Sequence, residues 1–181
     1  MKGVVVYKTK YGATSQYAQW ISKDLNLPFF EIDEFDDGQL DNNGYIIIGS
    51  SVYVGKLLIE KWLKNNLKLL LNKKIFLFIV CGTPLNKKDK LDSYITASVP
   101  AELRNVCDIY FLPGKLKIKE LSLLDHFIIK MGARLAKSKE LKKIMLTDYN
   151  DIKKENINEI LNAAKKIIHV KFETNNLPTL I

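Results

Sequence analysis

Cysteine and histidine are scarce in this 181-residue chain: Cys81, Cys107, His126 and His169 are all it has. Two thiols 26 positions apart fit neither a zinc-ligand spacing nor a Cys-x-x-Cys redox pair, so a disulfide scaffold and a cysteine-based metal site are both excluded. Both read as buried strand residues. Neither histidine has Cys, Asp or Glu at ligand spacing, so both read as helix-surface or helix-edge residues and no metal is expected. Long apolar runs are missing too. After Lys2 the stretch from Gly3 to Tyr7 is far too short for a signal segment or a membrane span, and a cytoplasmic location is the expectation. With only 9 glycines and 5 prolines, no linker, low-complexity tract or internal repeat divides the chain, and 1–181 is expected to form a single domain.

Charge of one sign is in excess. There are 28 Lys and Arg against 20 Asp and Glu, a formal net charge of +8. That surplus favours an acidic partner, an anionic membrane surface or a polyanionic ligand without choosing among them. The cations are scattered along predicted helices rather than gathered into an arginine-rich stripe with aromatic partners, so no nucleic-acid partner is expected. A hydrophobic share of 47% with 27% charged residues is a globular balance, in a chain long enough to bury a core without staples.

The local pattern alternates between two kinds of segment. Met1 to Tyr7 is a β-branched apolar run without polar alternation, as in a strand covered on both faces. Thr14 to Leu25 places Tyr17, Ala18, Ile21 and Leu25 on one helical face, and Pro28 closes that helix. Further strands are predicted at Phe29–Ile32, Tyr45–Gly49, Ile75–Val80 and Cys107–Leu112. Helices are predicted over Leu57–Leu71, Asp89–Ala97, a short piece from Pro100 to about Asn105, Leu121–Lys137 and Asp151–Val170. The economical architecture is a three-layer α/β sandwich: a five-stranded parallel sheet in order 2-1-3-4-5, with helices on both faces. In such a sheet the ligand crevice lies outside the carboxyl ends of the strands, beside strand 1. Cys81 ends one strand and Cys107 starts its neighbour, roughly 15 to 20 Å away at about 3.3 Å per residue, too far to pair.

The turn after strand 1, Lys8 to Ser15, leads directly into a helix. First-turn amides and the positive end of the helix dipole make it an anion site. Thr9, Thr14 and Ser15 add hydroxyls, and Gly12 permits close backbone approach. No G-x-G-x-x-G is present, which excludes the dinucleotide fingerprint. Gly49–Leu57 imitates a P-loop with the wrong spacing and with Leu57 where Ser or Thr must hold magnesium. A phosphoacceptor domain needs acidic residues at the end of strand 1, where this chain has lysines.

Thr9-x-x-Gly12-x-Thr14 resembles the phosphate loop of the flavodoxins. The resemblance implies the flavodoxin-like arrangement of this sheet and one non-covalent FMN, its 5′-phosphate wrapped by Thr9, Lys10, Tyr11, Gly12, Ala13 and Thr14. It further implies a flavin ring flanked by Ser50, Ser51, Val52, Tyr53, Val54 and Gly55 on one side and Cys81, Gly82, Thr83, Pro84 and Leu85 on the other. The second loop lacks the family's outer stacking aromatic, with Leu85 and Asn86 nearby instead. Stacking helps to balance flavin redox states, so the resemblance does not by itself imply the one-electron chemistry typical of flavodoxins. Flavodoxins proper are acidic and this chain is basic, which implies an electron partner of another kind.

Over nearly its whole length the chain is similar to the short menaquinone-dependent protoporphyrinogen oxidases, flavodoxin-like enzymes of bacterial haem synthesis. T-x-x-G-x-T, G-S-S-V-Y-V-G, L-L-D-H-F-I-I-K-M, L-T-D-Y and a P-T-L ending at Pro178, Thr179 and Leu180 carry that likeness. It implies an oxidoreductase whose FMN accepts electrons from a reduced substrate and passes them to a quinone or another redox partner. No catalytic side chain is assigned; Ser50 and Ser51 have no paired His and Asp. An electron carrier and a flavin-free interaction domain stay open beside it, and the oligomeric state is not legible.

An inserted helical segment is expected at about 115–146. Within Leu121–Lys137, Leu124, Phe127, Ile128, Met131 and Leu135 share a face, with Lys130, Arg134 and Lys137 elsewhere. Two readings fit: a helix packed on the sheet, or a basic amphipathic helix making peripheral contact with an anionic membrane over 121–137.

Overall fold

The computed structural model describes residues 2–136 and 139–175; Lys137 and the P-T-L stretch at 178–180 lie outside them. Its central sheet runs β2-β1-β3-β5-β6, all parallel, and comprises β1 (Gly3–Lys8), β2 (Phe29–Glu31), β3 (Tyr45–Tyr53), β5 (Lys74–Cys81) and β6 (Cys107–Pro113). This is the expected order 2-1-3-4-5, the doubly wound flavodoxin-like arrangement. Adjacent residues of each inner strand point to opposite faces, and both faces are covered, which is why these strands lack polar alternation. Val4, Val6, Ile46, Ile48, Leu77 and Ile79 form one core with the short helices α2 (Glu60–Asn65), α3 (Leu67–Leu70) and α5 (Ala101–Arg104). Val5, Ile47, Phe76, Phe78 and Val80 form the other with α1 (Ala13–Leu25) and α8 (Asn158–Asn175). Ile160 of α8 is fully buried in that second core; a side chain of this kind contributes about 1.5–3 kcal/mol by leaving water.

Cys81 stands opposite Pro113, and Cys107 opposite Ile75. The six-residue stagger along one strand pair puts the two thiols at opposite ends of the sheet, and both are free.

Three departures from the sequence reading affect the site. First, β3 does not stop at Gly49. It continues to Tyr53 and turns back through Val54 and Gly55 into β4 (Lys56–Leu57), pairing Tyr53 with Lys56. Second, the expected Leu57–Leu71 helix is therefore two short helices, α2 and α3. Third, the insert contains more than a helix. β7 (Lys115–Leu116) and β8 (Tyr149–Asn150) form an antiparallel ribbon that carries α6 (Leu123–Leu135) and α7 (Lys139–Met145). Helix α4 (Lys88–Ser98) matches its expected place.

The outward face of α6 is not packed on the sheet. Leu123, Leu124, Phe127 and Leu135 are exposed, which removes the first of the two readings of this helix, while Ile128 turns inward toward the cavity described next. Among the described residues no helix is long and apolar enough to cross a membrane.

Candidate functional site

The site is built at the carboxyl ends of β1, β3 and β5. β1 ends at Lys8 and α1 starts at Ala13, so four residues must reverse the chain. Gly12 does so at φ 77°, a left-handed conformation that side-chain-bearing residues rarely adopt. Thr9 Oγ1 accepts from the Gly12 amide at 3.1 Å and fixes the turn. The first backbone bond of α1 runs from Gln16 N to Gly12 O. The amides of Ala13, Thr14 and Ser15 precede it and have no acceptor among the described residues, a donor set aimed at an anion.

Lys10 belongs to this turn, and its ammonium is held by Asp125 at 2.9 Å. Lys115 reaches the turn from β7, its Nζ 3.9 Å from where a Cβ on Gly12 would lie, and it makes no ion pair among the described residues. Lys115 was not legible in sequence, because its approach depends on the β7–β8 ribbon.

Of the residues expected to hold a cofactor, Lys10, Tyr11, Ala13, Ser51, Val52, Tyr53, Cys81 and Gly82 line one cavity of about 230 Å³. Gly55, Thr83 and Pro84 line an adjoining hollow of about 660 Å³. The two spaces share Val52, Cys81, Gly82 and Tyr149 as walls. Ligand pockets for small molecules span roughly 300–1,000 Å³, so the pair together is of cofactor size. Thr14 and Ser50 are wholly buried. Thr14 Oγ1 is hydrogen-bonded to Ser51 Oγ at 2.7 Å. Ser50 Oγ accepts from Ile59 N at 3.3 Å and donates to Ser51 O at 3.1 Å, tying β3 to the start of α2. Their hydroxyls hold the loops in place and are not presented to the cavity.

Asp125, in the first turn of α6, is the residue the sequence did not single out. Only 3% of it is exposed. Its carboxylate accepts from the Tyr11 hydroxyl, from Tyr53 Oη at 2.6 Å and from Lys10 Nζ at 2.9 and 3.1 Å. Burial acts to raise its pKa, but the hydrogen bonds from Tyr11, Tyr53 and Lys10 outweigh it and hold the carboxyl well below the usual range. For Lys10, burial is likewise outweighed by Tyr53 and Asp125, and its pKa is raised. The same ammonium sits 3.4 Å from the centroid of the Tyr53 ring. One carboxylate thus ties α6 to both the turn after β1 and the end of β3.

The loop after β5 also has an unforeseen partner. Tyr149 of β8 lies over Gly82, its hydroxyl where a Cβ would be, so any larger residue there must displace the phenol. Tyr149 lies 67 residues further along the chain and sets an aromatic side chain against a segment, Cys81–Leu85, that has none of its own. Burial pushes its phenol up to about 12 and also raises the Cys81 thiol, so both stay protonated at neutral pH. Thr83 Oγ1 and Tyr94 Oη, 2.7 Å apart, fix the far side of the loop.

The sequence profile of the flavodoxin domain matches residues 4–143. The chain belongs to the flavodoxin domain family. An uncharacterised protein of Methanocaldococcus jannaschii is 33% identical over 103 residues, covering 51% of this chain and 67% of that protein. Among solved structures, a flavodoxin from the domain Archaea is 17% identical with a TM-score of 0.42, covering 91% of this chain and 99% of that one. Oxidised flavodoxin 2 of Bacillus cereus is 17% identical with a TM-score of 0.46, covering 63% and 85% respectively. Within this flavodoxin-domain chain, then, the turn after β1 and the loops after β3 and β5 meet at two adjoining spaces that Leu116, Ile129 and Tyr149 of the insert help to wall.

Proposed function

We propose that this flavodoxin-domain protein binds one FMN at the turn Thr9–Thr14 and serves as a flavin-dependent oxidoreductase. The observation that carries the reading is the set of unpartnered amides of Ala13, Thr14 and Ser15, with the Lys115 ammonium above Gly12. A phosphate dianion matches that donor set in charge and geometry. When bound, the flavin supplies the electron chemistry. The chain's own part is to hold the phosphate at the start of α1, to flank the ring with Val52, Tyr53 and Gly82, and to cover the cavity with Asp125 and Tyr149.

Titration of purified protein with FMN, followed by quenching of flavin fluorescence, tests this. Wild type is expected to bind, and Lys115→Glu to bind about ten- to a hundredfold more weakly, the equivalent of losing one charge-assisted hydrogen bond. Wild type that takes up no FMN would overturn the reading and favour a flavin-free interaction domain. One observation speaks for that second reading: Lys10 is already neutralised by Asp125.

For the substrate, we infer a reaction similar to the oxidation of protoporphyrinogen with a quinone as acceptor. The ordered motifs support it, and Asp125 from L-L-D-H and Tyr149 from L-T-D-Y both wall the cavity beside the phosphate turn. Quinone-linked turnover of protoporphyrinogen by the flavin-loaded protein is the expected result. Its absence, with flavin retained, leaves an electron carrier for another redox partner.

A further inference from the structure

We propose that the outward face of α6 docks on an anionic lipid bilayer. Leu123, Leu124, Phe127, Met131 and Leu135 are 91, 64, 62, 39 and 78% exposed. At about 100° per residue they fall within an arc of about 120° on the helix. The opposite arc holds Asp125 and Ile129, which line the cavity with Ile128 at the edge of the apolar arc, and the buried Ala133. A contiguous stripe of large apolar side chains on one face is an interaction surface rather than ordinary exposure.

Charge selects the occupant. Lys130 and Arg134 are exposed; at the same 100° spacing Lys130 borders the apolar arc and Arg134 stands within it, between Leu123 and Phe127. Exposed Lys119 and Glu120 precede the helix, and α7, which contacts α6, carries Lys139, Lys142 and Lys143 against Glu140, so cations stay in excess. Asp125, the acidic residue of α6, is turned inward. A second copy placed on this face by twofold symmetry would bring a second set of the same cations, Lys130 and Arg134, into the shared contact, a like-charge accumulation that opposes pairing. Anionic headgroups meet the same cations favourably while the acyl boundary takes the leucines and Phe127. No described helix is able to cross the membrane, so the contact lies in the interfacial plane. The proposal does not depend on flavin binding, because none of these outward side chains lines the cavity.

Co-sedimentation of the full chain with vesicles tests it, using phosphatidylcholine alone and mixed with phosphatidylglycerol. Binding to the mixed vesicles is expected to be at least about tenfold tighter than to phosphatidylcholine and to weaken as salt rises. The double variant Leu124→Glu/Phe127→Glu is expected to lose binding, and Lys130→Glu/Arg134→Glu to lose its salt-dependent part. Since all four side chains are exposed, both variants keep the fold, checked by circular dichroism. Phe127→Trp gives a second readout, a blue shift of fluorescence on adding mixed vesicles. Vesicle binding unchanged by Leu124→Glu/Phe127→Glu would overturn the proposal. So would the absence of vesicle binding alongside a concentration-dependent dimer that the same substitutions abolish, which would assign the face to a second copy.

Discussion

Asp125 is a buried carboxylate whose donors come from two other loops, so its protonation state is coupled to folding. Its folded pKa lies below its ordinary value of 3.8. The stability it contributes is therefore fully present above that ordinary value and is lost as pH falls through the lower, folded pKa. Thermal melts between pH 2 and 7 are expected to show the acid-side loss in wild type and a shallower acid limb in Asp125→Asn, with the variant less stable at neutral pH. Identical acid limbs would mean that the cluster does not form in solution. Val54 belongs to the same scale. It takes φ 47° and is followed by Gly55 at φ 78°, the paired positive angles of a two-residue hairpin turn that favours Asn-Gly. A β-branched residue is strained there, by about 1–3 kcal/mol. Val54→Asn is expected to raise Tm by about 2–4 °C for each kcal/mol released, measured by calorimetry; a lowered Tm would show that the valine side chain matters more than the backbone strain.

At the scale of elements, the three loops expected to carry the site were legible because each follows a buried strand whose residues announce it: Val4–Tyr7, Ile46–Ile48 and Ile75–Val80. The turn after β1 was legible because its Thr, Gly and Thr occupy fixed positions between strand and helix. The covering layer was not. β7 and β8 have two residues each, too few for any alternation, and Asp125 meets Lys10 and Tyr11 across 115 and 114 positions of sequence. The contact of Tyr149 with Gly82 is of the same long-range kind and gives a direct test of the ribbon's placement. Gly82→Ala is expected to cost about 1–3 kcal/mol by overpacking, read from denaturant melts. In a Tyr149→Phe background the nearest ring atom is the Cζ, 3.2 Å from the new Cβ, and the cost is expected to shrink. Strict additivity of the two changes would show that the residues do not touch.

Taken as a whole molecule, the chain divides into a body that its hydrophobic pattern specifies and a covering segment that depends on that body. Both faces of the sheet, the strand order and the flanking helices follow from apolar runs of strand length alternating with helical stripes. The outward side of α6 could not be read the same way, since an amphipathic stripe looks identical whether a sheet or another surface receives it. The dependence is open to experiment. A chain in which a short glycine linker replaces 115–150 is expected to unfold cooperatively with an unchanged sheet signature by circular dichroism. It would lack Lys115, Asp125 and Tyr149, and its affinity for FMN is expected to fall at least about tenfold, the loss of one charge-assisted contact or more. A collapsed or aggregated product would show that the body needs its cover.

Gly114 accepts a hydrogen bond from the Asp151 amide at 3.1 Å and donates one to Cys81 O at 2.9 Å. Departure and return of the whole segment thus occur at a single stitch on the rim of the sheet. A graft sewn on at one point can be lengthened, shortened or exchanged without re-registering any strand, so the same scaffold is free to acquire new ceilings above the loops that follow its strands.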